Sequence, residues 1–310
     1  MKIGFVGLGN IGGPLAARLL GGGRDLVVHD LQQENAKGLL ADGAVWADSP
    51  FEAAQACDCL ITSLPSPEAA CAVIEGKDGA LEGFQEGATW IETSTNDVEQ
   101  VKRLAGLLAA KGVNTLEATL TLGGHKISTG EGTIFAGGDK QVFDAHKPVF
   151  DALGGRVFYM GELGKATVIK VITNLVAFVN MVGIAEGMML AQRAGIDTGD
   201  AWKAIGASYG TSYALETAMA VVLGGTYDDD FAIELACKDL RLGRDIAEAA
   251  GVEPALINKV QEIYEWARQT YGDRAFSSEA VRYIEEQTGE KLRAEGFPEK
   301  LTTEGSVPDL

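Results

Sequence analysis

Short apolar runs recur through the first half of the chain, most of them followed by a stretch in which apolar positions return at helical spacing. KIGFVGL (2–8) leads into NIGGPLAARLL, DLVVHD (25–30) into QQENAKGLLADG, and AVWA (44–47) into SPFEAAQA. CDCLITSLP (57–65), TWIETST (89–95), NTLEATL (114–120), TIFAGG (133–138) and RVFYMG (156–161) continue the series, with the amphipathic NDVEQVKRLAGLLAAKG (96–112) among them. Short apolar runs read as buried strands and the longer periodic stretches as helices. Strands joined by helical crossovers lie parallel, so the alternation predicts an α/β domain with a doubly wound, mainly parallel sheet over residues 1–162.

From about Gly164 the pattern changes, and helix formers dominate as far as YIEEQTGEKLRAEG (283–296). This predicts an all-α domain over residues 163–295, followed by a polar, mobile tail over 296–310 that contains Pro and Gly. ATVIKVITNLVAFVNMVGIAEGMMLA (166–191) is long and apolar, but Lys170, Asn174, Asn180 and Glu186 interrupt it, leaving no apolar run of about eighteen residues. It reads as a long interdomain helix, the spine of the second domain and a contact between subunits.

The first strand runs into Gly7, Gly9 and Gly12, a G-x-G-x-x-G spacing between strand and helix. That arrangement lets backbone amides approach a pyrophosphate at a helix N-terminus. Asp30 ends the second strand, where a carboxylate accepts hydrogen bonds from an adenosine ribose and repels a 2′-phosphate. No Arg follows it in HDLQQ, so NAD is expected over NADP. A solvated Asp at a strand end is the alternative.

Charge narrows the partners. Forty-four acidic against 26 basic residues give a net charge of −18, which argues against nucleic acid and against anionic membranes, while a small anionic ligand needs only local donors. Cys57, Cys59, Cys71 and Cys237 show no second pair at ligand spacing, and His29, His125 and His146 are scattered, so no metal is expected. With no secretory h-region, the chain is expected to be cytoplasmic with reduced thiols.

Lys170 lies among Val168, Ile169, Val171 and Ile172, and Asn174 follows one helical turn on. A lysine there is either a proton-transfer group facing a cleft or a side chain snorkelling to the surface; spacing does not choose. LEATLTLGGHKISTGEG (116–132) offers hydroxyls and backbone amides to a carboxylate, or is an ordinary loop. Lys238, beside Asp239, either reaches a ligand or pairs with an acid.

Together these stretches resemble the β-hydroxyacid dehydrogenase family over roughly residues 1–295. GFVGLGNIGGPLAARLL is similar to its G-L-G-x-M-G-x-P-M-A signature, with Ile11 and Leu15 for the methionines. ITSLPSP and IETSTNDVE match its cofactor-side strand ends, GELGKATVIKVITN its G-x-x-G-x-G/A-x-x-x-K-x-x-x-N segment, and KDLRL its K-D-L. The resemblance implies an N-terminal Rossmann domain, an all-helical second domain and an active site between them. It implies metal-free, nicotinamide-dependent interconversion of a β-hydroxy acid and its aldehyde or ketone, in a homodimer or homotetramer. Lys170 would be the general acid/base and Asn174 its partner. Gly7, Gly9, Asn10, Ile11, Gly12, Asp30, Leu64, Pro65, Ser94, Thr95 and Lys238 would bind the cofactor, and Thr121, Leu122, Gly123 and Ser212 the substrate.

The chain departs from the family's D-A-P-V-S-G-G loop, reading EATLTLG from Glu117 to Gly123, with Thr119 for the proline and Leu122 for a glycine. Leu122, with Tyr209 and Tyr213, points to a substrate with a larger β-substituent than 3-hydroxyisobutyrate. An imine reductase or a catalytically silent, NAD-binding scaffold shares this architecture, but Lys170 counts against both. A 6-phosphogluconate-type decarboxylase would need basic residues for a sugar phosphate, and no Arg-rich cluster is present.

Overall fold

The computed structural model describes residues 1–121 and 129–301. Its eight-stranded sheet runs in the order β3 (Val45–Trp46), β2 (Leu26–His29), β1 (Ile3–Val6), β4 (Cys59–Thr62), β5 (Thr89–Glu92), β6 (Asn114–Thr121), β7 (Thr133–Gly138), β8 (Arg156–Gly161). All neighbours pair parallel except β6 and β7, which are antiparallel. Each of the eight apolar runs has become a strand.

Helices α1 (Gly12–Gly21), α2 (Lys37–Ala41), α3 (Pro50–Gln55), α4 (Pro67–Glu75), α5 (Val98–Ala109) and α6 (Lys140–Leu153) accompany the sheet. Their starts follow from local chemistry. Ser49, Ser66 and Asp97 each accept a backbone N–H three residues on, and Pro occupies the first position of α3 and α4. Strand residues alternate between two cores: Ile3, Phe5, Cys59 and Ile61 pack in one, Val6 and Leu60 in the other. Cys57 and Cys59 are buried thiols, and burial pushes that of Cys57 up to about 12.

The chain divides into two compact units, Met1–Lys170 and Val171–Leu310. The break falls inside α7 (Lys165–Arg193), the long helix expected from the sequence. Beyond it the second unit holds α8 (Thr198–Gly206), α9 (Tyr213–Glu216), α10 (Ala218–Gly224), α11 (Ile233–Ala250), α12 (Ala255–Tyr271) and α13 (Arg282–Thr288). Met181, Met188 and Met189 of α7 pack with Trp202, Met219 and Tyr227, while Leu175 and Phe178 pack with Leu240 and Tyr264. The segment read as a polar tail is anchored near its start, since Phe297 sits edge-on against Trp202 at 5.1 Å. An aromatic ring in a polar stretch finds burial that composition does not foretell.

Candidate active site

The parallel register aligns the carboxyl ends of the central strands: Val6 pairs with His29 and Thr62, and Thr62 with Glu92. Their continuations therefore emerge at one edge, bringing the glycine turn, Asp30, Leu64 and Ser94 together. In an open parallel sheet this edge, where the strand order reverses about β1, is where ligands bind.

The three glycines there have separate duties. Gly7 stands at φ +93°, and a Cβ would lie 2.2 Å from the Ser63 carbonyl. A Cβ on Gly12 would lie 1.9 Å from the Gly7 carbonyl, so the turn closes only with glycine at both places. Gly9 is different, because nothing lies within 4 Å of the position its Cβ would take. The neighbouring Asn10 is exposed and Ile11 half-buried. Helix α1 begins without a side-chain cap and without an acid in its first turn. The Gly13 N–H goes to the Gly9 carbonyl and Pro14 has none, so it is the positive end of the helix dipole, with no acid to offset it, that favours an anion here.

This separates two substitutions. Gly9→Val is expected to abolish measurable NADH binding while leaving the melting temperature within a degree or two. Gly12→Ala is expected to lower the melting temperature as well, because backbone must move. Fluorescence titration with thermal melts checks the pair, and unaffected NADH binding by Gly9→Val refutes the assignment.

Asp30 is tied to the same turn. Its Oδ2 accepts the Leu8 N–H at 2.6 Å, and its Oδ1 accepts the Gln32 N–H at 2.8 Å and the Asn35 amide at 3.1 Å. A carboxylate has about four acceptor sites. Three are in use, one of them by the exposed side chain of Asn35, so a diol finds room. Leu31 beside it is 98% exposed.

At the ends of β4 and β5 a buried network sets the backbone. Trp90 Nε1 donates to Thr62 Oγ1 at 2.9 Å, and Thr62 donates to Glu92 at 3.2 Å. Glu92 accepts the Ser94 N–H at 2.7 Å, and the Ser94 hydroxyl accepts the Leu64 N–H at 2.7 Å. Leu64 and Ser94 are thereby locked together, with Pro65 exposed and Thr95 half-buried beside them.

Burial raises the Glu92 carboxyl above its ordinary 4.5, against the bonds from Ser94 and Thr62. The folded state then holds that proton more tightly than the unfolded state. Stability from this group therefore falls as pH rises from about 4.5 through the raised value. Glu92→Gln is expected to reduce the slope of denaturation midpoint against pH; Glu117, raised for the same reason, keeps a part of it. An unchanged slope contradicts the assignment.

Thr121 ends β6, while Leu122 and Gly123 lie outside the described residues. Lys170 is only 9% exposed. It is not a snorkelling surface lysine. In the second unit, Asn174 Nδ2 donates to Asp239 Oδ2 at 2.6 Å, and Lys238 Nζ stands 3.4 Å from Asp239 Oδ1. The buried Asp239 thus joins two predicted site residues, a link that the sequence reading missed. Ser212 caps the four-residue α9 by accepting the Leu215 N–H at 3.2 Å, with Tyr209 and Tyr213 exposed near it in sequence.

Comparison with known proteins bears on the same residues. Residues 2–161 match the family described as the NAD binding domain of 6-phosphogluconate dehydrogenase. Residues 164–284 match that described as NAD-binding of NADP-dependent 3-hydroxyisobutyrate dehydrogenase. The mitochondrial 3-hydroxyisobutyrate dehydrogenase of Mus musculus is 30% identical over 293 residues, covering 92% of this chain and 87% of its own. The chain belongs to the β-hydroxyacid dehydrogenase family. The 2-(hydroxymethyl)glutarate dehydrogenase of Eubacterium barkeri is 29% identical over 93% of this chain and 96% of its own. A crystal structure of 3-hydroxyisobutyrate dehydrogenase from Salmonella typhimurium superposes with a TM-score of 0.83 at 28% identity, covering 91% and 99% of the two chains. This β-hydroxyacid dehydrogenase is an NAD(P)-dependent oxidoreductase acting on hydroxy acids.

Proposed function

We propose that the enzyme interconverts a β-hydroxy acid and its carbonyl form with NAD in preference to NADP, and that Lys170 transfers the proton. The observation that carries this is the burial of Lys170 within the segment matching the family's lysine motif. The glycine turn, α1 and Asp30 would hold the dinucleotide, and Leu64, Pro65, Ser94, Thr95 and Lys238 would border its nicotinamide end. When bound, the nicotinamide supplies the hydride acceptor. Lys170 takes the hydroxyl proton as the carbonyl forms and returns it in reduction. The Asn174 amide, oriented by Asp239, assists it. Thr121, Leu122, Gly123 and Ser212 would contact the substrate.

Two finer points belong to this reading. Leu122, in place of a glycine, supports a substrate with a larger β-substituent than 3-hydroxyisobutyrate. Ile172, Val176 and Leu190 are exposed on α7 at spacings that return to one face, which suits a contact with a second copy and hence a homodimer or homotetramer. The test is a panel of β-hydroxy acids graded by β-substituent, assayed with NAD and with NADP, beside a light-scattering mass. The highest kcat/KM is expected with NAD and a substituent larger than methyl, in a mass of two or four chains. Equal efficiency with both cofactors, a best rate with 3-hydroxyisobutyrate, or a monomeric mass overturns the corresponding part.

A further inference from the structure

We propose that Glu117 and Thr119 are positioning residues, which fix Lys170 by gripping the first turn of α7 from one face of β6. The idea rests on Lys170 as the proton-transfer group. Residues i and i+2 of a strand point the same way, and both of these side chains are fully buried. Glu117 Oε2 accepts the Gly164 N–H at 2.6 Å, while Oε1 accepts the Thr167 N–H at 3.1 Å and its hydroxyl at 2.5 Å. These amides lie at the start of α7, where N–H groups have no partner within the helix and a carboxylate is favoured.

Thr119 holds the other side of the same turn. Its hydroxyl donates to the Ala166 carbonyl at 3.2 Å. In an α-helix that carbonyl accepts the N–H of the residue four positions on, which is Lys170. One peptide group is therefore shared between the strand and the lysine's own backbone.

The neighbouring strand is shaped to fit. Gly137 of β7 pairs with Glu117, and a Cβ there would lie 2.3 Å from Glu117 Oε2. Glycine at 137 makes room for the carboxylate. Nothing in an apolar strand calls for a buried acid, which costs more than a hydrocarbon unless its bonds serve some purpose. Where the resembling family segment has proline, a hydroxyl donor is absent, so the Thr119 bond distinguishes this chain.

The experiment measures kcat, KM for the β-hydroxy acid and the dissociation constant of NADH in Thr119→Val, Thr119→Ser, Glu117→Gln, Gly137→Ala and Lys170→Ala. Displacing a reacting group by about 1 Å can cost on the order of 10²-fold in rate. Glu117→Gln and Gly137→Ala are expected to lose kcat on that scale. Thr119→Val, which keeps its shape and leaves the Ala166 carbonyl bonded to Lys170, is expected to fold and to lose a smaller factor. Thr119→Ser is expected to restore most of it, with NADH binding within twofold throughout. Wild-type kcat in Thr119→Val and Gly137→Ala, or no rescue by serine, overturns the proposal while leaving the Lys170 assignment standing. If Lys170→Ala itself retains turnover, the assignment fails and this proposal falls with it.

Discussion

Lys170→Ala is expected to bind NADH within twofold of the unmodified enzyme while its kcat falls on the order of 10²–10⁴-fold, the usual contribution of a general acid–base group. The separation follows from where the two tasks sit. The described bonds that shape the proposed cofactor edge run among Leu8, Asp30, Thr62, Leu64, Glu92 and Ser94, on strand ends that precede α7 in the chain. Removing an interaction made only in the transition state lowers kcat and kcat/KM together. Lys170→Arg is not expected to rescue, because a guanidinium stays protonated at working pH and cannot accept the hydroxyl proton. Asn174→Ala is expected to show a smaller loss of the same kind, leaving Asp239 without its shortest described hydrogen bond. Steady-state kinetics with fluorescence titration of NADH checks this; near-normal turnover in Lys170→Ala removes the lysine from the mechanism.

The double substitution Asp30→Asn with Leu31→Arg is expected to shift the ratio of kcat/KM for NAD over NADP by about 10²-fold towards NADP. Placing like charges together costs several kcal/mol in a binding site. Asp30 accepts from Leu8 and Gln32, so its charge is fixed at the edge of the glycine turn and cannot swing away from a 2′-phosphate. Asparagine removes that charge and keeps one acceptor. Leu31 points into solvent beside it, and an arginine there meets the phosphate without disturbing the core. The wild-type ratio is the control, and the single Asp30→Asn variant is expected to fall between the two. No change in the ratio for the double variant contradicts the role of Asp30.

The strands were legible because each is a short apolar run bounded by turn residues or by a periodic stretch, and β6 to β8 announced themselves as plainly as β1. What the alternation does not state is direction: the one antiparallel pair in the sheet, β6 and β7, emerges from the register. The glycine turn was legible as a motif, but the contrast between crowded Gly12 and open Gly9 needs coordinates. Lys170 stood out as a cation among β-branched residues, yet spacing alone could not separate burial from snorkelling. Glu92 and Glu117 were missed as structural acids. Each sits inside an apolar strand, TWIE and TLEATL, and that mismatch was the available signal. Ser94 is a local partner of Glu92, but Thr62 for the one acid and Gly164 and Thr167 for the other come from elsewhere in the chain, so no local pattern names them. Asp239 was visible next to Lys238, but its bond to Asn174, 65 residues away in sequence, was not.

In the proposed reaction hydride and proton leave the same carbinol, the hydride to the nicotinamide and the proton to Lys170. The most direct measurement supplies a β-hydroxy acid deuterated at its carbinol carbon, with NAD, to the unmodified enzyme and to Lys170→Ala. Single-turnover rates and the mass of the reduced cofactor are recorded together. The expected result is one deuterium in the cofactor from the unmodified enzyme, and the same label formed at least about 10²-fold more slowly by Lys170→Ala. A cofactor reduced without deuterium, or equal rates in the two proteins, would contradict it.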